Sequence, residues 1–567
     1  GNGALGANCG DDNTAIGKGA LNPFTGSGAT AVGSGAADVA VGNAKITAVG
    51  YNALGSATSG NNNTAVGYAS MDETIDGANN TAVGYGSLSA DCADQNTAVG
   101  VNALLVFTGS NATAVGYGAA DALTGASSPS GADTVAVGHN ALSAGIQQAY
   151  CTAVGAKALL AATSGDSNTA VGAYCMDATI DGTRNTGVGN GALGADCVND
   201  NTAVGFETLN KSTVGNNTAI GAYAAHSVVN APYLLAVGKG AGHTLIDQAY
   251  NTFVGYEAGG TTIGAQNTFL GSQAGGYAGD VDNCVAIGFN ALLGPTGVTN
   301  ATCDYNNDPT ITHDADANII AGARVTGTGI PAGAYVASLN SSTSFELSVA
   351  TTGGAVTNGT LTFYKSTGYD NVAIGNNSLD AATSSSENVA IGHNALTSLT
   401  DHYYNVAIGA GAGHDVVGES NVLIGRYAGF DAGDIDHCIG IGRDALRGDG
   451  STAPSGDNNI AIGTRTLDAI TTGASNVAIG YQAGSAFINA NHNIAIGQQA
   501  LESEDVSAGN VAIGYHALQV QNTDSSNNVA IGYQAAAKLN GSTDSVYIGY
   551  SVASAETVDG NHNVVIG

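Results

Sequence analysis

The chain has 567 residues, 85 of them Gly and none Trp; only 10% are charged, and the net charge is −32. So few Lys and Arg exclude a general nucleic-acid binder, which must neutralise phosphates, and disfavour adhesion to anionic membranes. A hydrophobic share of 43% excludes a disordered chain, and no run of eighteen apolar residues is present to insert into a membrane as a helix.

From Gly1 to Gly288 one short phrase recurs, as in NTAVGYGSL at Asn80–Leu88. Each phrase closes on a Gly, and thirty such Gly can be followed along the chain. Of the twenty-nine intervals between them, sixteen are 17 residues, eight are 16 and two are 18; the three outliers are 22, 21 and 87. The residue before the closing Gly is Val or Ile in 28 of 29 cases, and the residue four before it is Asn in 20. Regularity of this kind defines one structural unit repeated many times. A larger copy is also visible. Met71, Asp76 and Cys92 return 105 residues later as Met176, Asp181 and Cys197.

Seventeen residues are too few for a helical repeat. Apolar residues alternate along Thr-Ala-Val-Gly, which predicts a short strand, and the Ala-Leu pair after Gly can hold a second one. The Gly-, Asp-, Asn- and Ser-rich remainder reads as turns. The predicted fold is all-β: a parallel β-solenoid or β-roll of about 29 coils. Each residue then has an expected role. Val83 and Ile513 stack inside as an apolar ladder, and Gly84 and Gly514 bend the strand. Leu88 and Leu518 return the chain to the core. Asn80 and Asn510 join an amide ladder that closes each turn. Ala and Gly on the opposite face allow close backbone approach. Cys151, Cys284 and Cys438 take the Asn position, so that site accepts a small, partly buried side chain. So thin a core predicts association of several chains, for which a homotrimer is expected.

The 87-residue interval sets off residues 293–369 from repeats 1–292 and 370–567. Between Ala317 and Phe363, alternating apolar runs broken by Gly-Pro turns predict a small antiparallel β-domain. Just before it, Asp304, Asn306 and Asp308 form a D-x-N-x-D string. A calcium loop wants Gly at its sixth position, where Pro309 stands, so solvated turn residues are the simpler reading. No cofactor is expected.

The repeats then resume, with Ile in place of Val, as in NVAIGYHAL at Asn510–Leu518. Two turns are unusually long, 121–135 and 447–458. The second contains Arg447-Gly448-Asp449, an integrin-type tripeptide that chance explains. The sequons at Asn62 and Asn216 come free with an Asn/Thr-rich repeat. No two His have metal-ligand spacing, and no Gly-rich string is followed by the Lys-Ser/Thr of a phosphate loop. No carboxylate pair breaks the repeat as a glycan-cleaving site would, so an enzyme is not expected. No CxxC occurs. Cys9, Cys92 and Cys197 share a register, open to interchain pairing or to simple burial. The chain starts at Gly1, which predicts a processed leader or a segment of a longer protein.

The string N-[VT]-A-[VI]-G-x-x-A-L resembles the head repeats of YadA-like trimeric autotransporter adhesins. The likeness covers almost the whole chain outside 293–369, although that family repeats every fourteen to fifteen residues. It implies a homotrimeric β-roll, extracellular display and an adhesive or spacer role. The insert, with its V-T-G-T-G-I-P-A-G core, resembles a module recurrent in bacteriophage tail fibres and other phage structural proteins. Together they imply a tail fibre or related virion appendage whose partner is a host cell-surface receptor, glycan or protein. The alternatives are a bacterial adhesin or extracellular filament subunit, and a glycan-degrading fibre. Contacts are expected at the insert and the two long turns.

Overall fold

The computed structural model describes the chain except residues 1, 7–8, 43–44, 125–132, 246–247, 263, 280, 295–297, 317–318, 320–322, 332–333, 335, 365–367, 449–454, 504–506, 521–524, 540 and 555–559, and describes only the backbone of 298, 324 and 364. No helix occurs among the described residues. The chain forms two units, Gly1–Tyr250 and Asn251–Gly567.

In the first unit, fourteen strands of three residues run from Thr14–Ile16 to Leu235–Val237. Each but the last pairs in parallel with the strand of the next coil, residue for residue. Thr64, Ala65 and Val66 lie beside Thr81, Ala82 and Val83. The second unit repeats the arrangement in fifteen strands, from Thr252–Val254 to Val564–Ile566. The class predicted from the repeat is therefore correct: each unit is a parallel β-solenoid.

The irregular intervals leave this register intact. Thr113 pairs with Val135 across the 22-residue interval, and Ile439 with Ile460 across the 21-residue one. Val285 pairs with Val372 across the whole insert. Extra residues thus leave the coil at a turn. A slip of one residue would exchange the two faces of every following strand, so register is strongly specified.

Two expectations are corrected here. First, the interior column of each strand is the middle residue, Ala, and not the Val or Ile beside the closing Gly. Ala82 and Ala512 are fully buried, whereas Val83 is 37% exposed and Ile513 36%. The physical reason is space. Each coil is so narrow that its interior holds Ala from the strand plus Ala and Leu from the following turn, such as Ala517 and Leu518. The exceptions support this. Where the strand carries Phe253, Phe269 or Leu423 inward, the Leu position becomes Gly259, Gly275 or Gly429, and a Cβ there would strike the larger side chain. Interior volume is conserved by paired exchange, as close packing requires.

Second, the Ala-Leu element is a turn and not a second strand. Leu88 and Leu518 have φ of +50° and +47°. Their amides still stitch coil to coil, with Leu88 N–H donating to the Ala103 carbonyl at 2.9 Å and Leu518 N–H to that of Ala535 at 3.1 Å. The closing Gly does more than bend the strand. Gly84 sits at φ +142°, and a Cβ on it would collide with the Gly100 carbonyl oxygen of the next coil. Only Gly tolerates both demands.

The insert forms one antiparallel sheet of six strands. Their order is Arg324–Gly327, Ala355–Tyr364, Val298–Asn306, Thr310–Thr312, Ser344–Leu347 and Val336–Ser341. It has its own core, including Cys303, Ile311, Val325, Phe345, Leu361 and Phe363.

Candidate functional site

The residues singled out by the repeat are brought together in columns, one residue per coil. The Asn column is the interior one that carries hydrogen bonds. Asn80 N–H donates to Asn63 Oδ1 at 2.9 Å, and Asn96 N–H to Asn80 Oδ1 at 2.8 Å. Asn80 Nδ2 donates in turn to the Ala93 carbonyl at 2.9 Å. In the second unit the column is unbroken from Asn459 through Asn476, Asn493, Asn510 and Asn528 to Ser545. These amides are fully buried, so each spans two coils with both ends satisfied.

Cysteine at this position imitates Asn with longer bonds. Cys438 Sγ donates to the Gly456 carbonyl at 3.4 Å and accepts from Asn459 N–H at 3.3 Å. Burial pushes the thiols of Cys92, Cys151, Cys284 and Cys438 up to about 11, and those of Cys175 and Cys303 up to about 12. Cys92 and Cys197 face the hydroxyls of Thr74 and Thr179 inside their coils and so point away from any neighbouring chain. Thiolate is the reactive form. Iodoacetamide at pH 8 will therefore modify Cys9, which is half-buried, and spare the seven buried cysteines until denaturant is added. Mass spectrometry reads the sites; alkylation of a buried Cys in the native protein would contradict closed coils.

The outward face carries the apolar signal. In each coil the residues flanking the buried Ala point away from the interior. Through most of the first unit these are Thr and Val. From Val372 onward they are Val or Ile followed by Ile. Two aliphatic rows thus run along the sheet of the second unit, in register from coil to coil.

Aromatic columns add to this surface. Tyr51, Tyr68 and Tyr85 each follow a closing Gly and stack with ring centres 5.2 Å apart. Tyr515, Tyr533 and Tyr550 do the same at 5.0 and 5.1 Å. The repeat reading passed over these columns; Gly-Tyr at intervals of 17 is the signal that reveals them.

The interruptions are placed as follows. Asp304 Oδ1 accepts from Asn358 N–H at 2.6 Å, and Asp308 Oδ1 from Thr310 N–H at 2.7 Å. Both carboxylates thus cap backbone groups within the insert, and Asn306 is exposed. Among the described residues no three His, Cys, Asp or Glu form a group that could hold a metal ion. Residues 125–132 and 449–454, the middles of the two long turns, lie outside the described residues, and Asp449 with them. Arg447 and Gly448 are described, and line a surface groove. No described helix is long and apolar enough to cross a membrane.

Fold and columns together define the class: the chain is a β-solenoid repeat protein with a small antiparallel β-domain spliced between two coils. No known protein family matches the sequence, and no curated protein does.

Proposed function

We propose that the chain is the shaft of an extracellular fibre, a bacteriophage tail fibre or related virion appendage, that associates as a homotrimer and presents host-receptor contacts where the repeat is interrupted. The observation that carries this reading is the uncovered outer face of the parallel sheet. Parallel sheets occur almost only with both faces covered. Here the inner face is covered by the coil's own Leu and Ala, while the outer face offers rows of Val and Ile to solvent. A second and third copy of the same face supply the missing cover, because a row with a constant register is complementary to itself. The role is structural: the columns store stability and length, and the insert and long turns vary the surface on a rigid support. The resemblance to trimeric adhesin heads and to phage fibre modules supports the same choice.

Sedimentation of the full chain tests the assembly. The expected mass is three times the chain mass of 55.4 kDa; a stable monomer at micromolar concentration would overturn it. Adsorption of the labelled assembly to bacterial cells, without release of reducing sugar from their polysaccharide, tests the role.

A further inference from the structure

One surface groove of about 440 Å³ lies in the second unit, beside the long turn that begins at Arg447. Its lining side chains include Asp431, Arg447, Arg465, Asp468, Gln482 and Ser485. Arg447, Asp468 and Ser485 each stand five residues after a closing Gly, so they occupy one column in three successive coils. Arg465 and Gln482 stand two residues after, in the adjacent column. Three of the five have backbone bonds to a neighbouring coil; the Arg447 carbonyl accepts from Asp431 N–H at 2.7 Å. Arg465 N–H donates to the Arg443 carbonyl at 2.9 Å, and Gln482 N–H to that of Thr464 at 3.1 Å. The groove is therefore built on rigid backbone, as a precise site must be.

Its composition is unusual for this chain. Of six Arg in 567 residues, four stand at 426, 443, 447 and 465. Two of them line this groove, each paired with a carboxylate that lines it too. Arg465 Nε lies 3.0 Å from Asp468 Oδ2, and Arg447 Nε 3.7 Å from Asp431 Oδ2. The carboxylates are the less exposed partners, and burial raises the Asp468 carboxyl above its ordinary range despite Arg465. A guanidinium offers five donors in a planar fork, so each Arg retains donors for a ligand after meeting one carboxylate.

We infer that this groove binds a neutral saccharide. Forked donors, an amide, a hydroxyl and two carboxylates are spread over four coils with no net charge. Vicinal sugar hydroxyls, each both donor and acceptor, match such a set. A polyanion would meet Asp431 and Asp468 on a chain of net charge −32; a cationic ligand would meet both Arg. In the same column one coil before Arg447 stands Phe430, stacked on His414 at 4.6 Å. This deepens the fibre reading by naming the receptor's chemistry, and it rests on that reading.

The test uses the full chain on immobilised dextran, mannan and galactan, with alginate and polygalacturonate as acidic counterparts. Cell adsorption is measured in parallel. The wild type is expected to be retained on at least one neutral polymer and not on the acidic ones. Arg447→Ala, Asp468→Asn and Ser485→Tyr, which fills the groove, are each expected to cut retention tenfold or more. Gln534→Ala, in the same column as Gln482 but several coils away, should leave it unchanged. Circular dichroism confirms that each variant is folded. No retention on any neutral polymer, retention only on acidic ones, or retention indifferent to the three groove variants overturns the proposal. Cell adsorption that survives all three variants removes the groove and leaves the fibre standing. A wild type that fails to adsorb to cells removes the fibre reading itself.

Discussion

Asn493→Asp will destabilise the coils around it by about 3–5 kcal/mol at neutral pH, and by much less below pH 4. Asn493 is fully buried. Its Oδ1 accepts from Asn510 N–H at 2.9 Å, and its Nδ2 donates to the Ser507 carbonyl at 2.8 Å and to Asn476 Oδ1 at 3.2 Å. Asp keeps the acceptor but turns the donor into a second oxygen, aimed at two other oxygens. Burial and these neighbours both disfavour the charged form, so the folded-state pKa rises above the unfolded value of about 4. The sign follows from proton binding: above pH 4 the folded state holds the proton that the unfolded state has released. The penalty is therefore smallest below pH 4 and grows as pH rises through and above it, up to the folded pKa. Below pH 4 the protonated carboxyl donates one hydrogen bond and recovers part of the loss. Hydrogen exchange at Asn510 N–H and neighbouring amides, compared with wild type at pH 3.5 and 7, measures the effect locally. That is the proper scale, because solenoid stability is a sum over neighbouring coils. Equal penalties at the two pH values would mean that the amide column is not closed to water.

If the outer sheet face is the interface of the proposed homotrimer, the triple variant Ile479→Lys, Ile496→Lys, Ile513→Lys will yield monomers while leaving the coils folded. The three residues pair in register on the outer face of successive strands. Each keeps about a third of its surface or less exposed in the single chain, on the outer face, where the Lys stem can cover the same backbone while its ammonium reaches solvent. In the proposed assembly each would lose the burial of its remaining exposed third, about 0.5–1 kcal/mol, which over three positions weakens association by roughly 10- to 100-fold. Lys is the informative choice. In an interface of like faces it sets an ammonium opposite the same residue of each partner, so the cost of burying charge adds to the loss of apolar contact. Sedimentation should give one third of the native mass with an unchanged circular dichroism spectrum. A native mass for the variant would place the interface elsewhere.

The architecture was legible before any coordinates because it is written in spacing. A closing Gly every 16 or 17 residues requires a unit too short for helices, and strands in register follow from it. Asn in 20 of 29 coils likewise announced a buried amide column, since only stacked coils give so polar a residue a reason to recur. The insert was legible from its changed alternation. The groove was not. Asp431, Arg447, Arg465 and Gln482 lie up to 51 residues apart in sequence, and the coil brings them together. The Ala-Leu turn was also missed, because a left-handed Leu carries no compositional mark.

By itself the sequence determined the period, the parallel register, the Gly at each close, the Asn column and the places where the repeat is broken. Alternation over Thr-Ala-Val also showed that one face of the strand differs from the other. Which face is inside was decided only by the folded coil. Hydrophobicity favoured Val; the width of the coil admitted Ala beside a Leu, or a larger side chain where the Leu position gives way to Gly. The exchange of Phe253 with Gly259, Phe269 with Gly275 and Leu423 with Gly429 records that decision, because a filled interior fixes volume before it rewards greasiness. Turning Val and Ile outward leaves an apolar outer face on the sheet, which composition and period alone did not place.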